Sequence, residues 1–254
     1  MTVVATVGTT HPLGFAGLGF ALLALADDGV RPVCVVAGVS AQDATNVQAR
    51  SALGAAVIRA QFDALRAANP GAFHVGALLS AESVRAVAES LATFRGVPVV
   101  VDPVLAASGG DALADDATRA ALRDLLFPRA TLVTPNLYEA SALLGRTVDD
   151  VAAMREAAVA LRALGAAAVL VKGGHLGGVP IDVLAEADVV RELPSARVEG
   201  DVRGTGDLLA VTIAACLARG ATLPEAVEHA RRRVREAIAR GVPFAGARVA
   251  PLRD

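Results

Sequence analysis

Short apolar runs alternate with longer amphipathic stretches along most of this chain. Six runs read as strands: 3–7, 32–37, 72–76, 97–102, 131–134 and 167–172. They are nearly continuous in apolar residues and rich in valine, the pattern of parallel strands covered on both faces. Residues 13–26, 49–68, 81–94, 115–126, 137–144, 151–164, 206–219 and 223–240 carry Ala, Leu and Arg at helical spacing and read as helices. The alternation predicts a doubly wound α/β fold: a central, mostly parallel sheet flanked by helices on both faces, with right-handed crossovers. Residues 181–186 and 189–193 flank Ala187-Asp188 and read as a hairpin that extends one sheet edge. The Gly- and Pro-containing tail after Ala239 is expected to close the fold irregularly. No repeat, low-complexity tract or Pro/Ser linker divides the 254 residues, so a single domain spanning 1–254 is expected.

Ligands of open α/β sheets bind beyond the carboxyl ends of the strands. Polar residues and glycines gather at those ends: Gly8-Thr9-Thr10-His11, positions 38–42, Asp102-Pro103, Thr134-Pro135-Asn136, and Lys172-Gly173-Gly174-His175. Composition singles out the last. Of 24 basic residues only Lys172 is lysine; the rest are arginine. Where a coding bias favours arginine, a retained lysine marks a site that uses a compact ammonium on a flexible stem. The plain alternative is chance. Lys172 follows an apolar run and precedes paired glycines, which let a ligand approach the backbone.

Gly204-Thr205-Gly206-Asp207 precedes an apolar helix. A helix that starts after glycines presents free N–H groups and a positive dipole end, an anion site. This suits phosphoryl transfer, with amides holding the moving group while Asp207 takes the proton of an attacking hydroxyl. Alternatively, Asp207 only complements the helix dipole. Asn136 and Glu139 have N-cap and N3 spacing, enough for a capping box. The functional reading sets both at a strand end, facing nucleotide phosphates and a magnesium shell of hard oxygens. Asp102 ends a buried run and is either a turn residue, which Pro103 favours, or a site residue.

Charge and composition narrow the classes. The net charge of −2 supplies no basic field for nucleic acid or an anionic membrane. No apolar stretch is long enough to span a membrane. No basic segment precedes an apolar one at the start of the sequence, so no leader is expected and a cytoplasmic location is. Cys34 and Cys216 sit alone in apolar segments and read as core residues of a reducing compartment. His11, His74, His175 and His229 lack metal spacing. A Walker A motif is absent, Gly14 to Gly19 is not a dinucleotide fingerprint, and Ser108-Gly109-Gly110 is not a nucleophile elbow.

Asp102-Pro103-Val104, Ser108-Gly109, Leu126-Phe127-Pro128, Thr134-Pro135-Asn136 with Glu139-Ala140, Val171-Lys172-Gly173-Gly174-His175-Leu176 and Gly204-Thr205-Gly206 occur in one order and spacing. In this the chain resembles the hydroxymethylpyrimidine/phosphomethylpyrimidine kinases of the ribokinase-like superfamily, over residues 97–238. The resemblance implies a ribokinase-like fold, ATP and Mg2+ as cofactors, a pyrimidine alcohol or its monophosphate as the small-molecule substrate, and a homodimer. It implies Lys172 on the nucleotide phosphates, with Thr134 and Gly174 on the same side. Asp102, Asn136 and Glu139 would surround magnesium and phosphate. Gly204, Thr205 and Gly206 would form the anion hole. Ala41-Gln42-Asp43 resembles the family's Ala-Gln-Asn, so Gln42 is expected to face the substrate, together with Gly8, Gly17 and Gly76.

The chain departs from that pattern at three places. Asp207 replaces the usual cysteine, as in sugar and pyridoxal kinases, and a carboxylate is the stronger base near neutral pH. Leu22 falls where an acid binds the pyrimidine amino group; losing that hydrogen bond would cost about 1–3 kcal/mol. His74-Val75-Gly76-Ala77 stands for Lys-Ile-Gly-Met and removes a methionine from the pocket. Two other readings stay open: a pyridoxal-type vitamin kinase, and a non-catalytic sensor of a thiamine precursor or nucleotide.

Overall fold

The valine-rich runs line up edge to edge, because each is apolar on both faces and can be satisfied only between two layers of helices. The structure, a computed structural model, describes residues 1–107, 109–174 and 176–251. Ser108 of the Ser108-Gly109-Gly110 run and His175 of the Lys-Gly-Gly-His run lie outside the described residues. The strands are β1 (Val3–Thr10), β2 (Arg31–Gln42), β3 (Val47–Ala52), β4 (Ala72–Val75), β5 (Val99–Val101), β6 (Leu132–Val133), β7 (Ala168–Val171), β8 (Ile181–Glu186) and β9 (Val189–Pro194). They form one sheet in the order β3-β2-β1-β4-β5-β6-β7-β8-β9. From β2 to β7 all neighbours are parallel, while β3, β8 and β9 add antiparallel edges.

The helices are α1 (Gly17–Asp27), α2 (Ala55–Leu65), α3 (Ala81–Leu91), α4 (Asp116–Ala121), α5 (Leu137–Leu144), α6 (Val151–Arg162), α7 (Thr205–Ala218) and α8 (Leu223–Arg240). Side chains alternate across the pleat. Val99, Val101, Val133, Val169 and Val171 pack into a core with Phe62 of α2, Val87 of α3, Leu143 of α5 and Met154 of α6. Val100, Leu132, Ala168 and Leu170 turn to the other face, where Phe20 of α1, Ile213 of α7 and Val227 of α8 cover them. The ribokinase-like, doubly wound arrangement read from the sequence is the one observed.

Three local expectations fail. The helix expected over 49–68 begins at Ala55, and residues 47–52 are strand β3, paired with a β2 that runs on to Gln42. Their Ala and Arg favour helix, but the turn before them overrides it. Asp43 Oδ1 accepts from the N–H groups of Thr45 (2.8 Å) and Asn46 (2.9 Å), which closes a hairpin. Helix α1 starts at Gly17 rather than residue 13, because Gly14 and Gly17 hold φ of 59° and 61°. The tail is not irregular: β10 (Val242–Phe244) and β11 (Ala247–Val249) form a hairpin whose turn residues Ala245 and Gly246 both have positive φ. The helix expected over 115–126 is α4 continued by a wider π turn, Leu122–Leu126, and stopped near Pro128.

Candidate active site

Five chain segments converge beyond the carboxyl ends of β4 to β7. Ladder bonds continue one step past the strands: Asp102 N–H reaches Val75 O at 2.8 Å, Thr134 N–H reaches Val101 O at 2.9 Å, and Lys172 N–H reaches Pro135 O at 2.8 Å. Asp102, Thr134 and Lys172 are thereby fixed side by side. Asp102 Oδ1 accepts from Lys172 Nζ at 2.7 Å and from Thr134 Oγ1 at 2.9 Å. Glu139 Oε2 lies 4.0 Å from the same ammonium. Pro103 therefore does not reduce Asp102 to a turn residue; its carboxylate is 3% exposed and is the main partner of Lys172.

Asn136 and Glu139 form the capping box of α5. Asn136 Oδ1 accepts from Glu139 N–H at 2.9 Å, and Glu139 Oε2 accepts from Asn136 N–H at 2.7 Å. The cap also serves the site, because it delivers the Glu139 carboxyl toward Lys172. Burial pushes Glu139 up to about 7; Lys172 opposes this and Asp102 adds to it. Burial works to lower the Lys172 pKa, but Asp102, Glu139 and Asp207 outweigh it and hold the ammonium charged.

The Gly204 turn opens α7 from the other side. Gly204 has φ +81°, and a Cβ there would fall 2.5 Å from Phe15 O, so only glycine fits. Thr205 begins the helix. A Cβ on Gly206 would sit 3.3 Å from Asp102 Oδ2 and 3.5 Å from Lys172 Nζ, so the helix start abuts the charge cluster. Asp207 Oδ2 accepts from Gly17 N–H at 2.9 Å. Burial, with Asp102 adding to it, raises Asp207 to about 6 against the pull of Gly17 N–H and Lys172. A Cβ on Gly76 would come within 3.9 Å of Asp207 Oδ1, and Gly8 packs against Ala77. Gly17 and Gly76 thus flank one carboxylate, and Gly8 packs behind Gly76.

Gln42, at the end of β2, lines a cavity with Phe15, Thr45, Gly109, Asp111 and Arg203. Its Oε1 accepts from Ser40 Oγ at 3.0 Å. Phe15 and Arg203 join this cavity to the Gly204 turn. Gly174 has open space at its Cβ position. Leu22 is half-buried on α1 and is not among the residues of the Gln42 cavity.

Sequence reasoning missed Arg203 and the role of His74. His74 is 2% exposed, and Thr6 Oγ1 lies 2.9 Å from its Nδ1. Burial lowers it to about 4, with Asp102 opposing and Lys172 adding. It is a neutral imidazole beside the charge cluster. Its place in a strand-end segment where the family has lysine was the available signal. Arg203 directly precedes Gly204-Thr205-Gly206-Asp207, and that adjacency could have drawn attention to it.

Among the described residues no group of three or more His, Cys, Asp or Glu is arranged to hold a metal. Asp102 and Glu139 are two hard-oxygen donors, and the partly protonated Glu139 carboxyl would regain full charge beside a cation. This fits a magnesium ion that takes most of its shell from phosphate and water.

Comparison with known proteins follows the same lines. A family described as phosphomethylpyrimidine kinase matches residues 12–252. A hydroxymethylpyrimidine/phosphomethylpyrimidine kinase of Streptomyces coelicolor is 37% identical over 96% of this chain and 91% of its own length. One from Rhizobium meliloti is 38% identical over 94% and 91%. Among solved structures, the phosphomethylpyrimidine kinase of Clostridium difficile superposes with a TM-score of 0.83 at 27% identity, covering 94% of this chain and 100% of the other. A Bacillus subtilis pyridoxal kinase, solved as an ADP complex, gives 0.90 at 27% identity, covering 99% and 97%.

Proposed function

The chain belongs to the phosphomethylpyrimidine kinase family, and from that premise we propose that it transfers the terminal phosphoryl group of ATP to hydroxymethylpyrimidine, or to its monophosphate, in thiamine biosynthesis. The observation that carries the proposal is the position of Asp207. It is buried, held by Gly17 N–H, and one residue beyond a glycine whose backbone abuts both Asp102 and Lys172. An acceptor hydroxyl reaching Asp207 would have a proton acceptor on one side and the open N–H groups of a helix start on the other.

Each group then has a part. Asp207, raised to about 6, is mostly ionised near neutral pH yet basic enough to take the hydroxyl proton. The Gly204 to Asp207 amides hold the phosphoryl group as charge builds on its oxygens. Lys172 and Gly174 meet the nucleotide phosphates, Lys172 as a point charge. Thr134 holds Asp102 in place, and Asn136 holds Glu139. Asp102 and Glu139 would hold magnesium, which when bound supplies charge neutralisation to the phosphates. Gln42 faces the acceptor ring, while Gly17 and Gly76 flank Asp207 with Gly8 packed against Gly76 and Ala77. Phe15 and Arg203 close that side of the cavity.

The pyridoxal reading draws on Asp207 in place of cysteine and on the superposition with the Bacillus subtilis pyridoxal kinase. Leu22 leaves a ring amino group without an acid at that position. ADP release measured with hydroxymethylpyrimidine, its monophosphate and pyridoxal separates the two. The proposal expects the highest kcat/KM on a pyrimidine; preference for pyridoxal overturns it in favour of the second reading. We read the chain as one domain and a cytoplasmic homodimer. The single nine-stranded sheet supports the first, and the free thiols Cys34 and Cys216 support a reducing location. The dimer rests on the family resemblance, and light scattering on the purified protein tests it.

A further inference from the structure

Behind the turn that follows Lys172 lies a set of charged groups that phosphoryl transfer itself does not use. Gly173 has no room for a side chain: a Cβ would fall 1.9 Å from Ile181 O and 3.0 Å from Met154 Cε. Its N–H donates to Asp182 Oδ1 of β8 at 2.9 Å. The other oxygen of that carboxylate accepts from Arg231 Nε of α8 at 2.8 Å. The Arg231 side chain is 5% exposed. Its other two nitrogens donate as well, Nη1 to Glu228 Oε2 at 2.9 Å and Nη2 to the carbonyls of Leu193 and Pro194. From outside, Arg197 donates to the carbonyls of Gly178, Gly174 and Leu176.

Exposed ion pairs contribute little, because solvent screens them and both side chains must be ordered. Here Arg231 is buried, Asp182 is mostly so, and each of the three guanidinium nitrogens is engaged, which restrains the Asp182 carboxylate. Gly173 and Gly174 are the residues with most backbone freedom to lose when a ligand orders them. Fixing the N–H of Gly173 fixes the peptide that joins it to Lys172, so that loss is met in folding rather than in binding.

We propose that Asp182, clamped by Arg231, is a positioning residue for nucleotide binding, acting through Gly173 on the Lys172-Gly173-Gly174 turn. The inference rests on the nucleotide role proposed above for that turn. It touches neither acceptor nor Asp207, so it predicts an effect on the nucleotide alone.

ADP titrated calorimetrically into the full-length protein, with initial rates at varied ATP and varied acceptor, tests it. Asp182→Ala should raise the ADP Kd and the ATP KM about tenfold, the loss expected for one charge-assisted hydrogen bond. The acceptor KM should stay within about twofold. Asp182→Asn, whose amide oxygen still accepts the Gly173 N–H, should recover most of the affinity. Arg231→Gln, which leaves Asp182 in place but unclamped, should weaken ADP in the same direction by a smaller factor. A residue that served only folding would lower the melting temperature and leave the Kd of the folded protein unchanged. That result, or an acceptor KM rising as much as the nucleotide KM, overturns the proposal. If Asp182→Ala does not fold, Arg231→Gln decides: an unchanged ADP Kd refutes the clamp. Lys172→Met is the control that keeps the two readings apart. If it too leaves ADP binding unchanged, the nucleotide assignment of the turn fails; if it alone weakens ADP, only the clamp fails.

Discussion

Asp207→Asn should make this protein more stable while removing its chemistry. The wild-type carboxyl is buried, and its pKa is raised from 3.8 to about 6. A raised carboxylate pKa means that the folded state holds a proton the unfolded state has released. The penalty for ionising Asp207 is absent below pH 4, grows between pH 4 and 6, and is complete above pH 6. The full difference corresponds to an upper figure of about 3 kcal/mol. Asparagine keeps the oxygen that accepts the Gly17 N–H and never ionises. The variant should therefore gain up to about 3 kcal/mol over wild type at pH 8 and nothing at pH 4, or several degrees in melting temperature for a chain of this size. Thermal unfolding of both proteins across that pH range gives the comparison. A variant that melts at or below wild type at pH 8, or a gain independent of pH, would refute the claim that burial has raised this carboxyl.

Three more outcomes follow from the same geometry. The kcat of the wild-type enzyme should rise about tenfold per pH unit up to roughly pH 6 and then level off, because Asp207 must be ionised to accept a proton; a flat profile down to pH 5 contradicts this. Lys172→Arg should lower kcat/KM on ATP by at least tenfold, since a planar fork cannot take the place of an ammonium 2.7 Å from Asp102 and 4.0 Å from Glu139; initial-rate kinetics check it. Gly204→Ala should cost about 1–3 kcal/mol in denaturant melts and lose turnover with it, because the new Cβ would fall 2.5 Å from Phe15 O at φ +81°.

The sheet was readable because its strands are apolar on both faces, a signal that survives without knowledge of neighbours. Val99 to Val101 and Ala168 to Val171 have no other stable place to go. The β2–β3 ribbon was not readable, because the Ala and Arg of residues 49–52 favour helix locally. Only the Asp43 turn and the ladder to residues 38–42 decide otherwise. The same holds for the final hairpin, where Ala245 takes a left-handed φ that its residue type does not announce. In the site, residues at strand ends and helix starts were legible, since those positions follow from element order. Lys172, Asp102, Glu139 and Asp207 do converge. Asp182 and Arg231 were not, because their roles depend on an edge strand and a helix that meet only in three dimensions. The capping box and the site reading of Asn136 and Glu139 were posed as alternatives; the structure has the cap, and the cap orients Glu139.

The central claim is that Asp207 takes the proton of the acceptor hydroxyl. Single-turnover phosphorylation of hydroxymethylpyrimidine by Asp207→Asn, with enzyme in excess over ATP, tests it most directly. The rate of the chemical step should fall by a factor of about 100 to 10,000, the range of general-base catalysis, while the ADP Kd stays within about twofold of wild type. A chemical step at near wild-type rate would contradict the account.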